Sequence, residues 1–254
     1  MRLHVAFHPS LLATGALDAV PPARPQACVI IDVLRASTSL ITLVERGADA
    51  VYIAPSVEHA RAAAPALHRA VLAGEEEGLA PPGFEYGNSP VELSAADVRG
   101  RPVVFVTTNG TTAIRAVAHL GPVLIGAMRN GEAAAARAWD TAQRSESDVT
   151  IVCAGREGGF GLDDAHCAGY LASRLLEHGG LDLTDGAAAA IALFRAEPDT
   201  LAVFTRAAAG QNVIRLGLGA DVAYCAQRDC STAVPMLGRE LKMLEETAPA
   251  RRRP

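Results

Sequence analysis

The amino-acid sequence predicts an α/β fold: three α/β/α layers, with helices on both faces of a mainly parallel or mixed sheet. Three observations carry that expectation. Short β-branched runs alternate with alanine-rich segments of helical character along most of the chain. One unit, a strand end passing through a hydroxyl-rich turn into a helix and then through a Gly-containing corner into another strand, recurs. Half of the residues are hydrophobic but only 4% are aromatic, which supplies ample small aliphatic material for a sheet core.

The elements follow in order. "VIIDV" (29–33) reads as a strand, "STSLITLVERG" (37–47) as the helix after it, and "AVYIA" (50–54) as the next strand. "VEHARAAAPALHRAVLAG" (57–74) reads as helix, with Pro65 expected to kink or split it, because proline lacks the N–H that the helix needs. "EEEGLAPPGFEYGNSP" (75–90) is too rich in Gly, Pro and acids for a regular element, and a long loop inside a compact domain is more often functional than decorative. The alternation resumes with strands "RPVVFVTT" (101–108), "PVLIGA" (122–127) and "DVTIVCAG" (148–155). Helices "GTTAIRAVAHLG" (110–121), "NGEAAAARAWDTAQR" (130–144) and "DDAHCAGYLASRLLEHG" (163–179) lie among and after them. Beyond these, 186–194, 200–217 and 232–246 read as helix and "DVAYCA" (221–226) as a short strand, so the C-terminal third is expected to be mostly helical. Residues 248–254, "APARRRP", read as a disordered tail. One domain spanning 1–254 is expected, built from two similar halves divided near 95–105. The first copy of the recurring unit is 32–54 and the second 107–127, with 152–179 as a third candidate.

Bulk properties exclude several function classes. A net charge of −5 offers no basic face for nucleic acid, so an anionic ligand must be held by local groups. No apolar run approaches the length of a membrane span, and "MRLHVAFHPSLLATG" has neither the charges nor the apolar stretch of a signal peptide, so no membrane partner and a cytoplasmic location are expected. The five cysteines contain no C-x-x-C pair and read as reduced, mostly buried thiols. No G-x-x-x-x-G-K-[ST] occurs, and "GREGGFG" has the wrong glycine spacing for a dinucleotide loop. Cys28 and Cys153 lack an arginine at the spacing of a cysteine-phosphatase cradle, and Asp32 lacks the second aspartate two positions on that haloacid dehalogenase phosphatases carry.

The polar residues collect at strand ends. In open α/β sheets ligands bind beyond the carboxyl ends of strands, where helix N-termini present free N–H groups. The first such end offers Asp32, Arg35, Ser37, Thr38 and Ser39. The second offers Thr107, Thr108, Asn109, Gly110, Thr111 and Thr112, and the third Arg156, Glu157, Asp163 and Asp164. Arginine supplies a planar fork for phosphate or sulfonate oxygens, and an Asn-Gly-Thr-Thr turn supplies N–H groups and hydroxyls. Carboxylates beside an anion require a cation between them, which points to Mg²⁺. Bland roles compete. Ser37 or Thr38, and Thr111, read equally as helix caps. Asp163 and Asp164 could complement a helix dipole, and Arg156 with Glu157 could be a surface pair. Asp32 is the hardest to dismiss, because a carboxylate ending an aliphatic strand is costly unless paired or ligated.

The blocks "IIDVLRASTSL", "GNSP" (87–90), "TTNGTTAI" (107–114), "VCAGREGGFGLDDAHCAG" (152–169) and "LGLGADVAYCAQRDCSTAVP" (216–235) together resemble the 2-phosphosulfolactate phosphatase family. Those are Mg²⁺-dependent phosphatases associated with coenzyme M biosynthesis and also found in many bacteria that need not make that cofactor. The resemblance implies hydrolysis of (2R)-2-phospho-3-sulfolactate, or a related small phosphorylated hydroxy acid, to the hydroxy acid and phosphate. The expected catalytic residues are Asp32, Arg35 and Glu157. The expected metal ligands are Asp32 and Glu157 with Asp163 or Asp164. Ser37, Thr38, Asn88, Asn109, Gly110, Thr111, Thr112 and Arg156 are expected to bind substrate. Two segments depart from the family pattern. Arginine usually follows the glutamate of the loop before "GNSP", where this chain has Glu75-Glu76, and Ser and His usually flank the glycine of "AAAGQN" (207–212). An added acid near an anion site would weaken a trianionic substrate, so a non-catalytic binder of an anionic metabolite is the alternative expectation. A homodimer is the ordinary assembly for a compact α/β enzyme.

Overall fold

The computed structural model describes residues 1–13 and 24–244. Two parallel sheets organise it. The first, five-stranded, has β1 (Arg2–Ala6), β2 (Gln26–Ile31), β6 (Val123–Ile125), β7 (Asp148–Cys153) and β8 (Asp182–Leu183) in the order β6-β2-β7-β1-β8. The second, four-stranded, has β3 (Ala50–Ala54), β4 (Val71–Gly74), β5 (Pro102–Val106) and β9 (Leu241–Met243) in the order β4-β5-β3-β9. The α/β/α fold read from the alternation is the one observed. Strands buried on both faces need no polar alternation, and β2 and β7 are buried at every position.

Helices α1 (Ser10–Ala13), α2 (Ala36–Glu45), α3 (Val57–Ala63), α4 (Pro90–Ser94), α5 (Thr108–Val117) and α6 (Gly131–Ser145) come in the first part of the chain. They are followed by α7 (Leu162–Leu176), α8 (Asp185–Ala196), α9 (Thr200–Arg206), α10 (Ala208–Arg215) and α11 (Gly219–Cys225). α6 packs on β2 and β7, α8 on β1, and α3 on β5, while α2 touches both β3 and β6 and so bridges the sheets. One continuous apolar core runs from Leu3 and Val29 in the first sheet to Val51 and Phe105 in the second.

Three sequence expectations are corrected. The helix begun at Val57 does not reach residue 74: a 3₁₀ turn at Ala64–Ala66 carries Pro65, Arg69 takes a left-handed φ of 56°, and the chain turns into β4. "VLAG" then pairs with β5 from Val71↔Val103 to Gly74↔Val106. Alanine and leucine composition fits a helix or a buried strand equally, and the pairing partner decides. "DVAYCA" belongs to α11, not a strand; its buried residues Asp221, Val222 and Cys225 make one helical face. The segment from 232 is not helical either. Pro235 accepts the Ile125 N–H, Leu237 donates to Val123, and residues 241–243 pair with β3, so the same stretch closes one edge of each sheet. The tail at 248–254 lies outside the described residues. Cys28, Cys153, Cys167 and Cys225 are free and buried, and Cys230 is free and exposed.

Candidate active site

Parallel register sets the site. Ile31 pairs with Cys153, and Ala154 N–H donates to Ile31 O at 2.7 Å, so Asp32 and the Gly155 turn leave the first sheet side by side. In the second sheet Glu75 N–H donates to Val106 O at 3.0 Å, which puts Glu75 beside Thr107. Gly74 makes that neighbourhood possible: its φ is +129°, and a Cβ there would lie 2.2 Å from Val106 O. The carboxyl ends of β2, β4, β5 and β7 thus face a common cleft of about 300 Å³.

The cleft is lined by Asp32, Leu34, Arg35 and Asn88, by Thr107, Thr108 and Asn109, and by the carboxylates Glu75, Glu77, Glu157, Asp163 and Asp164. Arg156 and, from α10, Ala209, Asn212 and Val213 complete it. The N-termini of α2, α5 and α7 follow the same strand ends, a setting that favours anions.

Asp32 is buried. Its Oδ1 accepts the Ala36 N–H at 3.4 Å, and its own N–H donates to Ser37 Oγ at 2.9 Å. Its Oδ2 has no hydrogen-bond donor among the described residues. Gly110 stands over that oxygen, since a Cβ there would sit 3.3 Å from it. Burial, then the charges of Asp163 and Glu75, push the Asp32 carboxyl up to about 7, against the Ala36 N–H and the Arg35 guanidinium. Burial likewise raises Asp163 to about 6, opposed by the N–H groups of its own helix turn and by Arg156. Asp164 is pushed well above the usual carboxylate range by burial and by Asp163 and Asp32, although both its oxygens are bonded: Oδ1 by Val33 N–H at 2.8 Å and Oδ2 by Gly155 N–H at 2.9 Å.

Other expected site residues separate into two groups. Arg35, Asn88, Asn109, Arg156 and Glu157 line the cleft. Ser37, Thr38, Thr111 and Thr112 do not. Ser37 holds the Asp32 turn, Thr38 Oγ1 donates to Val33 O at 3.0 Å, and Thr111 Oγ1 donates to Thr107 O at 3.1 Å within its helix. Thr112 is exposed and donates to Thr108 O. Their hydroxyls build turns and helix starts. Glu157 stands at the rim with its side chain 78% exposed, bonded by Arg156 Nη2 at 2.8 Å, a poor seat for a metal. Asn88 Oδ1 is buried without a donor, and the backbone O of Asn88 is held by Ser39 Oγ at 3.2 Å. Glu76, the acid expected to disturb an anion site, is exposed and does not line the cleft.

Neither Glu75 nor Asp221 is among the site residues expected from the sequence. Glu75 lies in the acid-rich loop flagged as functional, and only pairing with Val106 shows that its side chain turns inward. Among the described residues no three His, Cys, Asp or Glu side chains form a ready-made metal cage. Asp32, with Oδ2 to spare, and Asp163, which lines the same cleft, fit a different demand: Mg²⁺ takes one or two carboxylates and completes its shell with water and ligand oxygens.

Comparison with known proteins gives one consistent answer. A family model described as 2-phosphosulpholactate phosphatase matches residues 17–240. A Thermus thermophilus protein described as a probable 2-phosphosulfolactate phosphatase is 44% identical over 225 residues, 87% of this chain and 93% of its own. Proteins with the same description from Deinococcus radiodurans and Carboxydothermus hydrogenoformans are 40% and 32% identical, over 87% and 92% of this chain and 92% of theirs in each case. Fold, cleft and relatives together define a phosphoric monoester hydrolase. The chain belongs to the 2-phosphosulfolactate phosphatase family.

Proposed function

We propose that this chain is a cytoplasmic, Mg²⁺-dependent phosphatase that hydrolyses (2R)-2-phospho-3-sulfolactate, or a related small phosphorylated hydroxy acid, to the hydroxy acid and phosphate. The observation that supports it most directly is the pair Asp32 and Asp163. Both are buried in one cleft with Arg35 and Arg156, and each would be relieved of the other's charge by a cation. Asp32 through Oδ2, and Asp163, would hold Mg²⁺. When bound, the ion supplies positive charge for the phosphoryl oxygens.

The rest is done by the chain's own groups. Arg35 and Arg156 offer guanidinium donors to phosphoryl and carboxylate oxygens, and the Asn109 and Gly110 N–H groups in the first turn of α5, which have no acceptor within the helix, add neutral donors. Asn88 Oδ1 lacks a donor and suits a hydroxyl or a water. Leu34, Ala209 and Val213 give the cleft apolar walls for the carbon skeleton.

The test is a phosphate-release panel over small phosphorylated hydroxy acids, with and without Mg²⁺, comparing wild type with Asp32→Asn. Metal-dependent turnover lost on that substitution supports the proposal. Saturable binding with no turnover replaces it with a non-catalytic binder of an anionic metabolite, and full activity in Asp32→Asn removes the site assignment. Turnover of a substrate whose phosphorus is made chiral with oxygen isotopes separates two displacements through an Asp32 acyl phosphate, which retain configuration at phosphorus, from a single attack by water, which inverts it.

A further inference from the structure

We propose that Asp221, a buried residue of α11 that does not itself line the cleft, is the positioning residue for Arg35 and fixes which edge of its guanidinium the substrate meets. The proposal rests on the phosphatase reading in one respect only, that Arg35 contacts phosphoryl oxygens.

Both partners are almost wholly buried, Arg35 at 4% and Asp221 at 1% exposure. Arg35 Nη1 donates to Asp221 Oδ2 at 3.0 Å, and Arg35 Nη2 donates to Gly78 O at 2.7 Å. The carboxylate is itself held: Ser89 Oγ donates to Oδ1 at 2.6 Å, and the Val91 N–H approaches the same oxygen at 3.4 Å. Gly78 is tied in turn by its own N–H to Glu75 Oε2 at 2.7 Å. The planar fork is thus fixed at two corners by groups that are fixed themselves, and its remaining donors belong to the cleft that Arg35 lines.

The choice of partner matters. Asp32, Glu75 and Asp163 line the same cleft, yet among the described residues Arg35 has its ion pair with Asp221 and with none of these. An unrestrained guanidinium would be drawn onto those acids, closing the anion site and competing with a cation for Asp32. Asp221 holds it back. The pair is neutral as a unit, so Arg35 brings directed donors more than net charge. Because α11 follows α10, whose Ala209, Asn212 and Val213 line the cleft, the pair also ties that wall to the turn after β2.

A buried ion pair that only stabilises the fold would behave differently. A double-mutant cycle separates the two, using Arg35→Gln and Asp221→Asn, with kcat and KM read from phosphate release at saturating Mg²⁺. Calorimetric binding of inorganic phosphate and thermal unfolding are measured on the same four proteins. Asp221→Asn is expected to lower kcat/KM about tenfold or more with Arg35 present and less than about twofold in Arg35→Gln, and Asp221→Glu is expected to recover part of the loss. Equal losses in both backgrounds, or unchanged kcat/KM in a folded Asp221→Asn, overturn the proposal. If Asp221→Asn does not fold, Ser89→Ala decides: a loss confined to the Arg35 background is expected, and an unchanged value overturns the proposal. Wild type that releases no phosphate from any substrate would sink the phosphatase reading instead. The phosphate-binding cycle then decides alone: coupling between the two substitutions supports positioning, and independence removes it.

Discussion

Glu75 Oε1 accepts both the backbone N–H and the hydroxyl of Thr108, each at 2.9 Å, so a residue 33 positions earlier in the chain caps the helix that opens the cleft. Its other oxygen takes the Gly78 N–H at 2.7 Å. Glu75→Gln keeps one acceptor but turns an amide N–H toward a second N–H, which is expected to cost about 1–3 kcal/mol. Urea unfolding of the two proteins checks this, and an unchanged midpoint would remove the capping role.

Asp32, Asp163 and Asp164 are expected to differ as metal ligands. Asp164 already spends both oxygens on Val33 and Gly155, whereas Asp32 has one to spare. Mg²⁺ titration should therefore show binding lost in Asp32→Asn and Asp163→Asn but changed less than about threefold in Asp164→Asn. The last variant should instead be less stable by about 1–3 kcal/mol, from one unsatisfied backbone donor. Loss of Mg²⁺ binding in Asp164→Asn would return it to the ligand set.

Acid is expected to destabilise the fold through His166. Burial, then Arg228, push this imidazole down to about 4 from an ordinary 6.5; it packs edge-on to Phe194 and Phe204 with Nε2 beside Thr200 Oγ1. Its pKa is lowered in the folded state, so below 6.5 the unfolded chain binds the extra proton. The stability it confers is complete above 6.5 and is lost as pH falls toward 4. The slope approaches about 1.4 kcal/mol per pH unit. Comparing unfolding midpoints at pH 7.5 and 5 in wild type and His166→Gln tests it: the substitution should flatten the difference, and an equal fall in both would assign the acid sensitivity elsewhere.

Gly74→Ala should be among the most damaging single-methyl additions in the chain. The new Cβ would sit 2.2 Å from Val106 O at a φ of +129°, so β4 must separate from β5 to admit it. A loss of about 3 kcal/mol or more is expected, read from thermal melts. A melting temperature equal to wild type would contradict the close approach.

Thr112→Ala supplies the opposite expectation. The residue is exposed and its hydroxyl bonds only its own helix, so kcat/KM should stay within about twofold of wild type. A tenfold loss would bring Thr112 back to the substrate.

The sequence by itself determined the α/β alternation, the strands over 29–33, 101–108 and 148–155, each expected to run two residues past its observed end, and the gathering of acids and arginines at those ends. These are local properties: β-branched runs, alanine-rich helical stretches, and polar residues where strands stop. Even the helix break at Pro65 was legible, because proline acts on its own backbone. What the tertiary structure decided depends on partners distant in the chain. "VLAG" became a strand only because β5 offered an edge, and residues 235–243 became sheet closure because two edges needed hydrogen bonds. Ser37, Thr38 and Thr111 resolved toward turn building once their acceptors were fixed in space. Arg35 could be read as an anion clamp from its place after Asp32, but the carboxylate that aims it stands 186 residues later, on a helix that the sequence pattern reads as a strand. Charge and period are written along the chain; which charges meet is settled only when the chain closes on itself.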